Sequence, residues 1–266
     1  MVRLTTLQAR LALADGRWAE AEAHVAEARA LAALLASEPG IKATLSLAGR
    51  TANPLAQPVP VRTGGFGGAE GLADYLKAEA IDRLIDATHP YAARISANAV
   101  AAAKLTGTPL LSLHRPGWHA EAGDRWIETT DGETAVRSLG EAPLTVFVAL
   151  GRQEVEPLRL APQHHYIVRS VDPVDLLLPQ VRYILARGPF PEHEERALFK
   201  AEGVQAVLCK NSGGAATYGK ILAARALKIP VFMIARPDKP AGEQVETIEA
   251  ALDWCRHPAP PTLRGE

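Results

Sequence analysis

Six consecutive residues, Asp86-Ala87-Thr88-His89-Pro90-Tyr91, set a carboxylate, a hydroxyl, an imidazole and a phenol side by side. Such a set can hydrogen-bond sugar hydroxyls and can supply or relay a proton. Pro90 holds His89 extended rather than helical, so Thr88, His89 and Tyr91 project from a strand-to-helix turn. Asp86, His89 and Tyr91 are the candidate general acids, and none of the three is singled out. In a plainer reading Asp86 caps the next helix and His89 is an ordinary hydrogen-bonded side chain.

A second segment, Lys210-Asn211-Ser212-Gly213-Gly214, opens a helix. Small residues and backbone N–H groups at a helix start make a seat for an anion. Lys220, two turns further on, is either a second cation of that seat or a solvated helix residue. Residues 64–68 (GGFGG) resemble a phosphate loop but lack the Lys-Ser/Thr pair of one.

Ligands of open parallel sheets bind beyond the carboxyl ends of the strands. Eight predicted strands end at Gly49-Arg50-Thr51, Asp86–Tyr91, His114-Arg115, Gly151-Arg152, Arg169-Ser170, Arg187-Gly188, Lys210-Asn211 and Arg236-Pro237, and seven of these ends carry Arg or Lys. With a formal net charge of −1 for the whole chain, those cations are concentrated at one rim. They either pair with nearby carboxylates or line a cleft for a ligand bearing several carboxylates or phosphates, which arginine grips bidentately. Arg50-Thr51 falls where a dinucleotide-binding βαβ unit meets the adenosine ribose. An acid there selects NAD and an arginine accommodates the 2′-phosphate of NADP, so NADPH is the expected cofactor.

The elements that position these groups alternate. Strands are predicted at 41–47, 59–61, 81–87 and 109–113, with helices at 69–80 and 92–105. After a linker at Gly140–Pro143 the alternation restarts, with strands at 145–150, 165–169, 182–186, 206–209 and 230–234 and helices at 192–202, 215–227 and 242–256. That pattern implies βαβ units in two parallel-sheet domains. Residues 5–36 read as helix, broken at Asp15-Gly16 into a hairpin. The division expected is an atypical helical segment at 1–26, a cofactor domain at 27–140, a substrate domain at 141–256 and a loose tail at 257–266.

Composition narrows the function. The chain has 266 residues, 29 basic against 30 acidic, and 47% hydrophobic residues, the profile of a folded globular protein. Charge balance argues against nucleic-acid or membrane-surface binding. No apolar run is long enough to span a bilayer, no signal-peptide cleavage site is evident, and the cytoplasm is the expected location. Cys209 and Cys255 stand in no metal-ligand spacing, so no metal site is expected. His164-His165 begin a strand and cannot both face one ion.

Taken together, LSLAGRT at 45–51, DATHPYA at 86–92 with Ser96 following, Arg115-Pro116, LGRQE at 150–154, RSVDP at 169–173, ARGPF at 186–190, KNSGG at 210–214 with Lys220, and Arg236-Pro237 resemble the precorrin-6A reductase family of cobalamin biosynthesis. The resemblance runs from about Glu27 to Cys255. It implies a monomeric or weakly associated protein of two Rossmann-like domains that uses NADPH to reduce one double bond of precorrin-6A, giving precorrin-6B. It further implies that Arg29, Gly49, Arg50, Thr51, Thr88 and His89 hold the cofactor. Ser96, Arg115, Arg152, Arg169, Arg187, Lys210, Ser212, Gly213 and Lys220 then hold the tetrapyrrole carboxylates. Alternatives are a cobalt-bearing substrate and a non-catalytic tetrapyrrole-binding relic. One departure stands out. Glu27-Ala28-Arg29 matches the family's first helix start, but His24-Val25-Ala26 occupies its Gly-Gly-Thr turn, and the residues before it read as a helical hairpin. A missing first strand is therefore expected.

Overall fold

The computed structural model describes residues 2–8, 18–47, 56–151, 154–170, 174, 176–186 and 188–257, the first of these ranges and residues 18–26 as backbone only. In chain order the first lobe contains β1 (Val2–Gln8), α1 (Trp18–Ala36), β2 (Ile41–Leu47), β3 (Val61–Thr63), α2 (Ala69–Ala78), β4 (Arg83–Ala87), α3 (Ala93–Thr106) and β5 (Leu110–Leu113). The second contains β6 (Trp126–Thr129), α4 (Gly132–Ser138), β7 (Thr145–Ala149), β8 (His165–Ser170), β9 (Val181–Leu185), α5 (Glu192–Ala201), β10 (Ala206–Lys210), α6 (Gly219–Leu227) and β11 (Val231–Ile234). The chain then returns to the first lobe with β12 (Gln244–Val245) and α7 (Ile248–Arg256).

Two six-stranded sheets result, ordered β3-β2-β1-β4-β5-β12 and β9-β8-β7-β10-β11-β6. All their strand pairs are parallel. Each sheet runs outward in both directions from its first central strand, β1 or β7. This is the winding of dinucleotide-binding folds, with a topological switch point between that strand and the next one across.

Strand alternation builds the cores. In β7, Val146 and Val148 enter one apolar layer and Phe147 the other; β10 divides the same way, with Leu208 opposed to Val207 and Cys209. Helix α1 buries Ala28, Leu31, Ala32 and Leu35, a stripe at i, i+3, i+4 and i+7, against β2 and α7. Burying each leucine of that stripe contributes about 1.5–3 kcal/mol. Helices α2 and α3 cover the other face through Leu72, Leu76, Ala99 and Ala102. Among the described residues no helix is long and apolar enough to cross a membrane.

Three expectations need correction. The helical hairpin does not replace the first strand: Val2–Gln8 is a strand lying between β2 and β4, in register from Val2↔Ile41 to Gln8↔Ala87. A slot between two strands offers ladders on both edges, and pairing those backbone groups outweighs the modest helix propensity of this stretch, in which Val2, Thr5 and Thr6 are β-branched. Asp15-Gly16 lies outside the described residues. The helix predicted over 242–256 begins at Ile248, and Gln244-Val245 before it pairs with β5. Nor does sheet membership divide at 140–141: β6 and α4 precede that point yet β6 pairs with β11, while β12 and α7 come late yet join the first sheet. Each half of the chain thus lends one edge strand to the other half's sheet, which no local pattern announces.

Candidate functional site

The register Gln8↔Ala87 puts Thr88 just past the first sheet's switch point. Asp86 accepts the Thr88 N–H at 3.0 Å, fixing the turn. Thr88 Oγ1 lies 3.2 Å from Ser96 Oγ at the start of α3 and 3.2 Å from Lys239 Nζ. Asp86, Thr88, His89 and Ser96 are all buried. His89 Nδ1 accepts the Tyr91 N–H at 3.2 Å, which places the proton of a neutral ring on Nε2.

Tyr91 carries the site into the second lobe. Its hydroxyl donates to the Ile234 carbonyl at 2.5 Å and accepts the Asn211 N–H at 2.8 Å, at the carboxyl ends of β11 and β10. Lys210 Nζ stands 4.3 Å from the Tyr91 ring centroid and pairs with Glu154, which follows β7. The Lys210–Glu154 pair therefore sits at the second sheet's switch point, facing the first.

The loop after β5 closes the other wall. Arg115 holds Glu27 of α1 at 2.7 Å and the Gly213 carbonyl at 3.2 Å. Trp118 and Asn211 exchange two hydrogen bonds, at 2.7 and 2.8 Å. Arg236 donates to the carbonyls of Asn211, Arg115 and Pro116 at 2.8, 2.7 and 3.2 Å. This close packing explains the glycines. Gly213 and Gly214 have φ of +71° and +75°, and a Cβ on Gly213 would lie 2.3 Å from the Pro116 carbonyl oxygen.

Two predicted cations are committed elsewhere. Buried Arg169 makes a two-pronged pair with Glu195 and stacks on the rings of Phe190 and Phe147, 3.5 and 4.8 Å from their centroids. Lys220, also buried, donates to the Thr217 carbonyl at 2.8 Å and lies 4.8 Å from the Trp118 ring centroid. Ser212, 3.4 Å from Thr217 Oγ1, is buried behind the loop. Arg29 is exposed in the interior of α1, not at a helix start. Gly49, Arg50, Thr51, Arg152 and Arg187 lie outside the described residues.

Sequence reasoning assigns no role to three contributors, Lys239, Glu154 and His114, the last named only as a strand end. Lys239 and His114 line a cleft of about 390 Å³ with Arg236, and His114 and Arg236 continue into a second of about 670 Å³ that reaches Arg115 and His119. Glu154 enters the sequence reading only as part of LGRQE. Burial holds the Lys239 ammonium below the usual lysine range, with Arg236 pushing the same way and Asp86 opposing. His114 is lowered chiefly by burial, then by Lys239. A lysine beyond the predicted end of strand β11 gives no signal, because only the fold of the following segment brings it back to Thr88.

The fold and site define a two-lobed α/β protein of Rossmann-like winding, with a basic cleft where the carboxyl ends of its two sheets meet. Residues 25–256 match the family described as precorrin-6x reductase CbiJ/CobK, and the chain belongs to that family. It is 47% identical over 230 residues to a precorrin-6A reductase of Rhodobacter capsulatus, covering 86% of this chain and 91% of that one. The precorrin-6A reductase of Mycobacterium tuberculosis is 40% identical, with 86% and 93% covered. A cobalt-precorrin-6A reductase of Priestia megaterium is 27% identical, over 69% of this chain and 76% of that one. The solved structure described as CobK precorrin-6A reductase superposes with a TM-score of 0.83 at 43% identity, covering 96% of each chain.

Proposed function

We propose that this protein is a precorrin-6A reductase that uses NADPH to reduce one double bond of the macrocycle, giving precorrin-6B. The observation that carries the reading is the cation-lined cleft joining both sheets beside Thr88, in a member of this reductase family. Relatives named for the cobalt-free substrate share 40–49% identity and those named for the cobalt-bearing one 26–30%, which favours precorrin-6A itself. Retention of β1 as the central strand argues against a relic that has lost its cofactor half.

The first switch point suits a dinucleotide: the Thr88 hydroxyl stands just beyond it, held 3.2 Å from the Ser96 hydroxyl of α3. When bound, a reduced nicotinamide supplies the hydride, and the hard chemistry is its own. Thr88 and His89 would hold its nicotinamide end. Arg50 and Thr51 would take the 2′-phosphate, with Gly49 beside them and Arg29 adding charge from α1. Substrate carboxylates are oriented by Arg115, Arg152, Arg187 and Lys210. Arg169, Lys220, Ser96, Ser212 and Gly213 hold the loops that carry those contacts. Such positioning can lower the barrier by several kcal/mol. The described walls of the cleft come from one chain, which supports reading the protein as a monomer. Asp86 and His89 remain candidate proton sources; Tyr91 is the weaker one because its O–H is committed to Ile234.

The test is NADPH and NADH titration by nicotinamide fluorescence with turnover of precorrin-6A. Wild-type protein is expected to prefer NADPH, and Arg50→Ala to lose about 10–100-fold in NADPH affinity with NADH affinity unchanged, the size of one charge-assisted phosphate contact. Absence of NADPH binding, or of turnover, overturns the reading.

A further inference from the structure

We infer that Lys239, Arg236 and His114 form a carboxylate-binding subsite, taking one acid side arm of the macrocycle at the edge of the first lobe. The inference rests on the functional reading above and deepens it.

The subsite lies on the strap from Ala235 to Glu243, which carries the chain from β11 of the second sheet to β12 of the first. Pro237 and Pro240 restrict this strap, so Lys239 is delivered on a stiff segment. Its Nζ donates to the Thr88 carbonyl and hydroxyl, at 3.4 and 3.2 Å. Among the described residues no carboxylate lies within ion-pair distance of Lys239; Asp86 acts on it only through space while its Oδ1 receives the Thr88 N–H. Arg236 and Lys239 oppose each other's charge, and His114 stands in the field of both. Gathering two basic side chains and an imidazole around a cleft of about 390 Å³ is unfavourable unless an anion answers them. Asp238 and Gln244 complete the rim.

A carboxylate or a phosphate oxygen would satisfy this set equally. Position decides between them. The pyrophosphate of a dinucleotide lies at the turn after the first central strand, whereas His114 and Gln244 line this cleft from β5 and β12, two and three strands away from β1, and only the Lys239 ammonium reaches back to Thr88, beyond the strand beside β1. It also runs on through His114, Arg236 and Gln244 into the 670 Å³ cleft beside Arg115, a course that suits a large acid-fringed ring. A neutral imidazole at position 114 can take up a proton as the carboxylate arrives.

The experiment measures binding of two probes, uroporphyrin I as an octacarboxylate tetrapyrrole and NADP⁺, to wild-type protein, Lys239→Gln and Lys239→Arg, with circular dichroism and unfolding curves confirming the fold of each variant. The expected result is about a tenfold loss of uroporphyrin affinity in Lys239→Gln, recovery to within about threefold in Lys239→Arg, and NADP⁺ affinity changed by less than about threefold in both. A weaker salt dependence of uroporphyrin binding in Lys239→Gln, with a slope smaller by about one ion, supports the same assignment. Loss confined to NADP⁺ would mean that the site takes a cofactor phosphate, and unchanged affinity for both probes would mean that it takes neither; either result overturns the inference while leaving the reductase reading intact. Failure of the wild-type protein to bind uroporphyrin at all counts against the polycarboxylate cleft itself, and both fall together.

Discussion

Tyr91 and Asn211, 120 residues apart, are joined by one hydrogen bond that links the two lobes: the Asn211 N–H donates to the Tyr91 hydroxyl at 2.8 Å, and that hydroxyl donates onward to Ile234. A phenol so engaged works as a clasp rather than as an acid. Tyr91→Phe is therefore expected to lower stability by about 1–2 kcal/mol, the cost of leaving a partly buried N–H and C=O without this partner. Its kcat should stay within about threefold of wild type and its pH–rate profile should keep its shape. A hundredfold loss of kcat with an altered profile would make the phenol the proton source.

Arg169, expected among the substrate ligands, is held by Glu195 instead. Breaking a buried pair by removing one member costs about 3–5 kcal/mol, because the other charge stays buried. Glu195→Ala should thus lower the midpoint of thermal unfolding by about 10 °C, and Arg169→Met combined with Glu195→Leu should be less destabilised than either single variant. Substrate KM, measured well below the unfolding range, should change by less than about threefold in Arg169→Met. A large rise in KM without loss of stability would return Arg169 to the binding surface.

Gly213 offers a steric test. Its φ of +71° and the Pro116 oxygen, 2.3 Å from where a Cβ would stand, both act against any side chain. Gly140 has φ +88° with nothing within 4 Å, so Gly140→Ala pays only for the left-handed backbone, about 1–2 kcal/mol. Gly213→Ala is expected to cost at least about 1 kcal/mol more than Gly140→Ala in urea unfolding and to weaken uroporphyrin binding as the 115–118 loop shifts. Equal losses in the two variants would show that the loop yields freely.

His114 makes stability depend on pH. Burial first, then Lys239, lowers its pKa in the folded state, so the unfolded chain binds a proton there more readily. Folding is undisturbed above the ordinary imidazole range and is penalised as pH falls through about 6.5 towards the folded value. His114→Gln lacks that penalty. The difference in unfolding free energy between wild type and His114→Gln should therefore shift in favour of the variant as pH falls from about 7.5 to about 5. A difference independent of pH would place the imidazole in water.

The sequence by itself determined the periodic part of this protein. Strand Ile41–Leu47 and helix Glu192–Ala201 were legible because each has one face to bury and its period is written in its residues, and the Thr88–Tyr91 and Lys210–Gly214 turns were legible because glycine, proline and titratable groups cluster at predicted strand ends. Tertiary structure decided the rest. Whether Val2–Gln8 becomes strand or helix depends on a gap between β2 and β4 that local propensity does not see. Which cations face the cleft depends on partners far along the chain: Glu195 withdraws Arg169, Thr217 and Trp118 enclose Lys220, and the strap after β11 brings Lys239 back to Thr88. Burial and charge pairing are properties of neighbours in space, and a linear pattern carries them only when those neighbours lie within a turn or two.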